Sequence, residues 1–240
     1  MQGAELLGIL REATRTQHQE LDSSPRLGRL ARGPVDLSFY REVLARYRSC
    51  FGLLESLIDS AGERMVERAE AGWLSGVAPY RKRFPALESD LAHLAGEGRG
   101  SFVSGKLRAL PDGPGVTDDS RPESVPYEVG SSLRDPMHRL VRNSPAEFEL
   151  GVRYVLDGSS MGSRLICRHL FAQLGDMVRQ AWHFWQVQAL VGKDWPLIRN
   201  RLQSLSCGVD VPGQKIPLVT ASANLCFQVF RDGFASEECN

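Results

Sequence analysis

One histidine of this chain has neighbours that suit a metal ligand. At 100° per residue, the helix that opens the sequence carries an apolar stripe centred on Leu10 and Leu21. His18 falls at the edge of that stripe, and Arg11, Arg15 and Asp22 fall just beyond it on the polar side. An imidazole at such a boundary can reach into a cleft while two guanidinium groups guard the rim. Asp22, one turn later, is spaced to accept a hydrogen bond from the second ring nitrogen. That arrangement fixes the tautomer of a metal-bound histidine. The same spacing also describes a surface histidine with ordinary i,i+3 and i,i+4 charge neighbours.

A second stretch, "YVLDGSSMGSRLICRHL" from Tyr154 to Leu170, keeps helical spacing of its apolar residues but carries Gly158 and Gly162 among serines. Each glycine inside a helix costs on the order of 1 kcal/mol relative to alanine. Gly151, Gly158 and Gly162 share a face, and without Cβ atoms that face admits a close neighbour. The neighbour is either another helix or a flat ligand. Ser159 and Ser160 add hydroxyls that can bond to carbonyls freed by a weakened turn. A histidine on one helix and a bare backbone on another would together sandwich a macrocycle, with an axial donor on one side and room for oxygen and water on the other.

The elements that must position these residues are all helical. A first helix runs from about Ala4 to Leu21, and Pro25, after the polar run Asp22, Ser23 and Ser24, stops it. A second starts near Asp36 or Ser38 and runs to about Ala61, and a weaker third covers about Glu63 to Ala71. "PALESDLAHLAG" gives a fourth, with Pro85 near its start and Gly96 as a stop. A short helix is expected around Leu133 to Arg142, then one from Pro145 to about Leu174, one from Asp176 to Leu190, one beginning at "KDWP", and a last one from Lys215 to Phe234. No run of alternating β-branched residues appears, so the fold class is all-α. Residues 97–126 are rich in Gly, Pro, Ser and Asp and read as a flexible insert in a single domain.

Composition narrows the function classes. Lys plus Arg number 29 and Asp plus Glu 29, so no net field recruits nucleic acid or an anionic membrane. No segment approaches the roughly 20 apolar residues of a membrane span, and the N-terminus lacks a signal-peptide pattern. Five scattered cysteines fit reduced thiols in a cytoplasmic protein better than a disulfide framework. None is flanked like a nucleophile. Asp90 and His93 make one D-x-x-H pair, but a di-iron site needs a matching second set, which is missing.

At the level of motifs, "LREATRTQHQEL" resembles the N-terminal helix of bacterial haem oxygenases, and "YVLDGSSMGSRLICRHL" resembles their distal helix. "PALESDLAHLAG", "HFW", "VGKDW" and "ANLCFQVF" resemble further elements of that family, in the same order. The likeness covers most of the chain outside 97–144. It implies a single-domain, multi-helix, haem oxygenase-like fold with haem between proximal and distal helices. It implies an oxidoreductase that opens haem to biliverdin, carbon monoxide and ferrous iron. The reaction uses O2 and electrons from an external donor such as a ferredoxin, a reductase or ascorbate. The partners expected are haem, an electron-donor protein and a biliverdin acceptor such as a bacteriophytochrome, with the chain itself a monomer.

By the same resemblance His18 is the proximal iron ligand, and Gly158, Gly162 and Ser159 form the distal catalytic surface. Arg11, Arg15 and Tyr154 are placed for the propionates, Asp22 for the ligand's second nitrogen, and Phe227 or Phe230 for the pocket wall. Arg26 and His169 are weaker candidates for the propionates. Four features depart from the family pattern, one of them the long insert at 97–126. Ser163 stands in place of a second glycine, Asp157 in place of Glu, and "QVQAL" follows Trp185 where Tyr-Gly is usual. These bear on turnover more than on binding, so the alternative function is a non-catalytic haem-binding protein for storage, transfer or sensing.

Overall fold

A computed structural model describes residues 5–69, 74, 76–96, 131–207 and 215–235. The expected insert at 97–126 lies outside them. The elements are α1 (Glu5–Asp22), α2 (Pro25–Arg32), α3 (Leu37–Glu67), α4 (Phe84–Gly96), α5 (Ser131–Asn143), α6 (Pro145–Ser159), α7 (Ser163–Leu174), α8 (His183–Cys207) and α9 (Lys215–Phe234). A 3-10 turn, Gly175–Val178, leads from α7 towards α8. No strand occurs among the described residues. The fold is all-α, as the periodicity predicts.

Several boundaries differ from expectation, each for a local reason. Pro25 ends α1 but also starts α2, because Ser24 caps it by accepting a hydrogen bond from Leu27 N at 3.3 Å and proline suits the first helical position. Asp36 rather than Ser38 caps α3: its Oδ1 accepts from Phe39 N at 2.8 Å. The expected second and third helices are one, since α3 runs through Gly62 without a break. Likewise α8 runs through Pro196, where the sequence predicts two helices. Proline there forfeits one backbone bond, and the residue four earlier is Gly192, which carries no side chain to oppose the adjustment.

The reverse difference concerns Tyr154–Leu170, whose spacing predicts the middle of one helix. It is split: α6 ends at Ser159 and α7 begins at Ser163. Between them Met161 N donates to Gly158 O, Gly162 N to Ser159 O and Ser163 N to Ser160 O at 3.1–3.2 Å, a tightened i→i+3 pattern.

The core lies where α3, α6, α8 and α9 meet. Tyr47 sits among Phe184, Phe230 and Phe234, with ring centroids 5.2, 6.2 and 4.8 Å away. Buried aromatic and aliphatic side chains of this kind contribute roughly 1.5–3 kcal/mol each. A chain of hydrogen bonds runs through this core: Trp185 Nε1 donates to Tyr40 Oη at 3.0 Å, and Tyr40 Oη donates to Ala181 O at 2.8 Å.

Two contacts fix the helices that matter for function. α6 crosses α9 at Gly151, where an added Cβ would lie 2.3 Å from Val219 O and 2.7 Å from Ser222 Cβ. Asp90, wholly buried in α4, caps α8 from across the fold by accepting from His183 N and Phe184 N, both at 2.9 Å. As a result α1 and α6 both pack on α8 and α9, with no extensive packing between α1 and α6 or α7 among the described residues.

Candidate functional site

His18 stands on the outward flank of α1, with its side chain 60% exposed. Leu6, Leu7 and Leu10 are buried, and at 100° per residue His18 falls at the edge of the arc they define, which leaves the imidazole at a boundary. The Nδ1 atom lies 3.0 Å from Asp22 Oδ2. A carboxylate oxygen only accepts, so Nδ1 carries the proton and the lone pair of the neutral ring is on Nε2. Phe227 of α9, itself buried, meets the imidazole edge-on with centroids 5.9 Å apart at 66°. It limits how far the ring can swing inward.

Arg11 and Arg15 are both exposed on the same side of α1. Arg15 pairs with Glu12, and Arg11 has no ion pair among the described residues. Arg26 and His169 are engaged elsewhere: Arg26 Nε bonds Glu42 Oε1 at 2.8 Å, and His169 Nε2 sits 2.7 Å from Gly33 O. A surface depression touches Gly8, Ile9, Glu12 and Ala13. Ile9 and His18 are half a turn apart at 3.6 residues per turn, so that depression belongs to the other flank of α1.

The glycines of the α6–α7 break do different work. Gly158 is fitted to α8: an added Cβ would lie 3.3 Å from the Trp195 ring. Trp195 in turn packs on Tyr154, with centroids 5.9 Å apart at 50°. The helix-packing reading therefore applies at Gly158. At Gly162 an added Cβ would meet only Ser159 O, at 3.6 Å, so its backbone is open. Met161 and Leu165 flank it and are 60% and 55% exposed, large apolar side chains turned to solvent. Ser159 Oγ donates to Leu156 O at 2.9 Å and Ser160 Oγ to Asp157 O at 2.5 Å, which satisfies carbonyls that the end of α6 leaves free. Ser163 is buried at the start of α7.

Behind this break lies a charged network that sequence spacing did not reveal. Asp157 Oδ1 accepts from Arg83 Nη2 at 2.7 Å and its Oδ2 from Arg153 Nε at 3.1 Å, with all three side chains buried. Arg153 also reaches Glu149 at 3.5 Å and Ala78 O at 2.7 Å. Glu55 accepts from Arg83 N at 2.6 Å and from Tyr80 Oη at 3.0 Å. Burial pushes the Glu55 carboxyl up, against those hydrogen bonds, and pushes Glu149 up against Arg153. The signal available in sequence was a run of acidic and basic residues inside an apolar helix, "EFELGVRYVLD".

Among the described residues, the thiols of Cys50, Cys167 and Cys226 are unsuited to nucleophilic work. Burial pushes Cys167 up to about 11, and pushes Cys50 and Cys226 higher. A thiol so shifted supplies little thiolate at neutral pH. Asp90 and His93 do not act as a D-x-x-H pair, because Asp90 turns to the N-terminus of α8. Among the described residues no group of three or more His, Cys, Asp and Glu is placed to hold a metal, and no helix is long and apolar enough to cross a membrane.

Comparisons with known proteins give the fold and leave the family open. No family model matches the chain, and no curated protein matches it. Among solved structures, the chain is similar to heme oxygenase from Leptospira interrogans at 15% identity, with a TM-score of 0.63 over 95% of this chain and 98% of that one. The chain has a haem oxygenase-like fold.

Proposed function

We propose that this chain is a haem oxygenase, binding haem through His18 and opening it to biliverdin, carbon monoxide and ferrous iron. The observation that carries the reading is the presence of two open surfaces on separate helical elements. On α1, Asp22 leaves Nε2 of His18 free; at the α6–α7 break, the Gly162 backbone is open between exposed Met161 and Leu165. A flat apolar ligand with a metal at its centre satisfies both. The fold likeness to a heme oxygenase supports the same assignment.

Bound haem supplies the redox-active iron and the ring that is opened, with O2 and an external electron donor as co-reactants. The protein's part is positional. Asp22 holds the proton on Nδ1, so His18 presents a neutral Nε2. Arg11 is the available cation for a propionate, with Tyr154 and Arg15 as further donors. Phe227 walls the proximal side and excludes water. On the distal side Ser159 has its hydroxyl proton committed to Leu156 O, so it orients water by accepting and does not itself deliver a proton.

The test is a haem titration followed by turnover in air. Haem added to the protein gives a Soret band, and His18→Ala alters the ferric spectrum. Ascorbate or a ferredoxin system then replaces the Soret band by biliverdin absorption. A Soret band that persists under reductant and oxygen rejects catalysis and leaves the haem-binding reading. No Soret change on mixing rejects both.

A further inference from the structure

We propose a second site, independent of haem, in which His93 and His183 together bind one late transition-metal ion such as Cu2+ or Zn2+. His93 lies on α4 and His183 opens α8, 90 positions apart in sequence, yet their ring centroids are 5.7 Å apart and the rings are inclined by only 30°. Both rings have the same nitrogen engaged. His93 Nδ1 is 2.7 Å from Ser89 O, and His183 Nδ1 is 2.7 Å from Asp90 Oδ1. A carbonyl and a carboxylate only accept, so both Nδ1 atoms carry protons. Each neutral ring then has its lone pair on Nε2.

That is the state in which a histidine ligates. The second nitrogen donates to a carboxylate or backbone carbonyl, which fixes the tautomer and raises ligand basicity. Asp90 is suited to the supporting role: its side chain is fully buried and held by the two amides of α8, while the His183 ring it steers is 48% exposed. His93 is exposed as well. Two imidazoles sharing an ion at about 2.0–2.1 Å per bond have centroids on the order of 5–6 Å apart. The observed separation falls in that range before any metal is added. Imidazole pairs favour Cu2+, Ni2+ and Zn2+ over Mg2+ or Ca2+, and water completes the coordination.

The test is a Cu2+ titration of the full chain without haem, followed by electron paramagnetic resonance and competition with a chelator of known affinity. One ion per chain is expected, with nitrogen hyperfine structure from two imidazoles. His93→Ala and His183→Ala should each weaken binding at least tenfold and reduce the pattern to one nitrogen. His93→Ala leaves the Asp90 cap intact, so a loss there is not a loss of fold. His18→Ala and His138→Ala should leave the signal unchanged. Affinity in the His93 and His183 variants equal to that of the native chain, or a signal that disappears with His18 or His138, overturns the proposal. Because haem is read out by its Soret band and His18, either assignment can fail without the other.

Discussion

At the residue scale, the glycines separate into positions that serve packing and one that does not. Gly151 lies against backbone of α9, where an added methyl would overlap Val219 O. Overpacking against backbone has no soft neighbour to yield, so Gly151→Ala should cost about 3 kcal/mol or more. Gly162 lies against open space in a right-handed helical conformation, with φ −74°. Gly162→Ala should shift the stability of the haem-free protein by less than about 1 kcal/mol yet weaken haem binding. Thermal melts and haem titrations on the two variants give opposite patterns if the assignment is right. An equal loss of Tm in both would sink the distinction. Phe227 was expected only from the family resemblance, whereas the His18–Asp22 contact was legible in sequence because residues four apart share one face of a helix. The division of labour between Gly158 and Gly162 was not, because both have the same spacing and only the arrival of Trp195 from α8 tells them apart.

At the element scale, most helices announce themselves and their junctions do not. The stop at Pro25 was plain, but its second role as the first residue of α2 depends on Ser24 turning to cap Leu27 N. Gly62 and Pro196 look like breaks and are absorbed, since a long helix packed along its length can tolerate the loss of one bond. The α6–α7 break shows the opposite balance, where two serines and two glycines act in one turn and outweigh the period. The buried ion network around Asp157 was equally hidden, because its partners come from separate parts of the chain. The "PALESDL" motif gains a physical meaning: Asp90 caps α8. Asp90→Ala should cost about 2 kcal/mol from the lost cap and the amides left unpaired. For a chain of this length that is a Tm loss of roughly 4–8 °C. A melt unchanged within about 1 °C, a small fraction of that loss, would mean the cap is replaceable by solvent.

At the scale of the whole molecule, the buried carboxylates set the response to acid. Glu55 and Glu149 have pKa values raised above the ordinary 4.5 by burial. Between 4.5 and the raised values the folded chain binds protons that the unfolded chain has released, so stability should rise as pH falls through that window. Below it the trend reverses. Glu42 is held low, its burial outweighed by Arg26 and Arg46, and Asp36 is held low by Phe39 N and Ser38. These contributions are lost as acid protonates them. Tm measured against pH should therefore rise as pH falls towards the ordinary carboxylate range and drop once pH passes below it, and a Tm that falls throughout on acidification would contradict the assignment. Trp195 gives the molecule one more property. Its indole fills the notch at Gly158 and rests on Tyr154. That puts an intrinsic fluorophore on the wall of the proposed cleft, distinct from Trp182 and Trp185, which lie together at 6.1 Å between centroids. The difference in emission between the native chain and Trp195→Phe thus reports on the distal wall alone, and energy transfer to a bound chromophore makes it an optical gauge of occupancy.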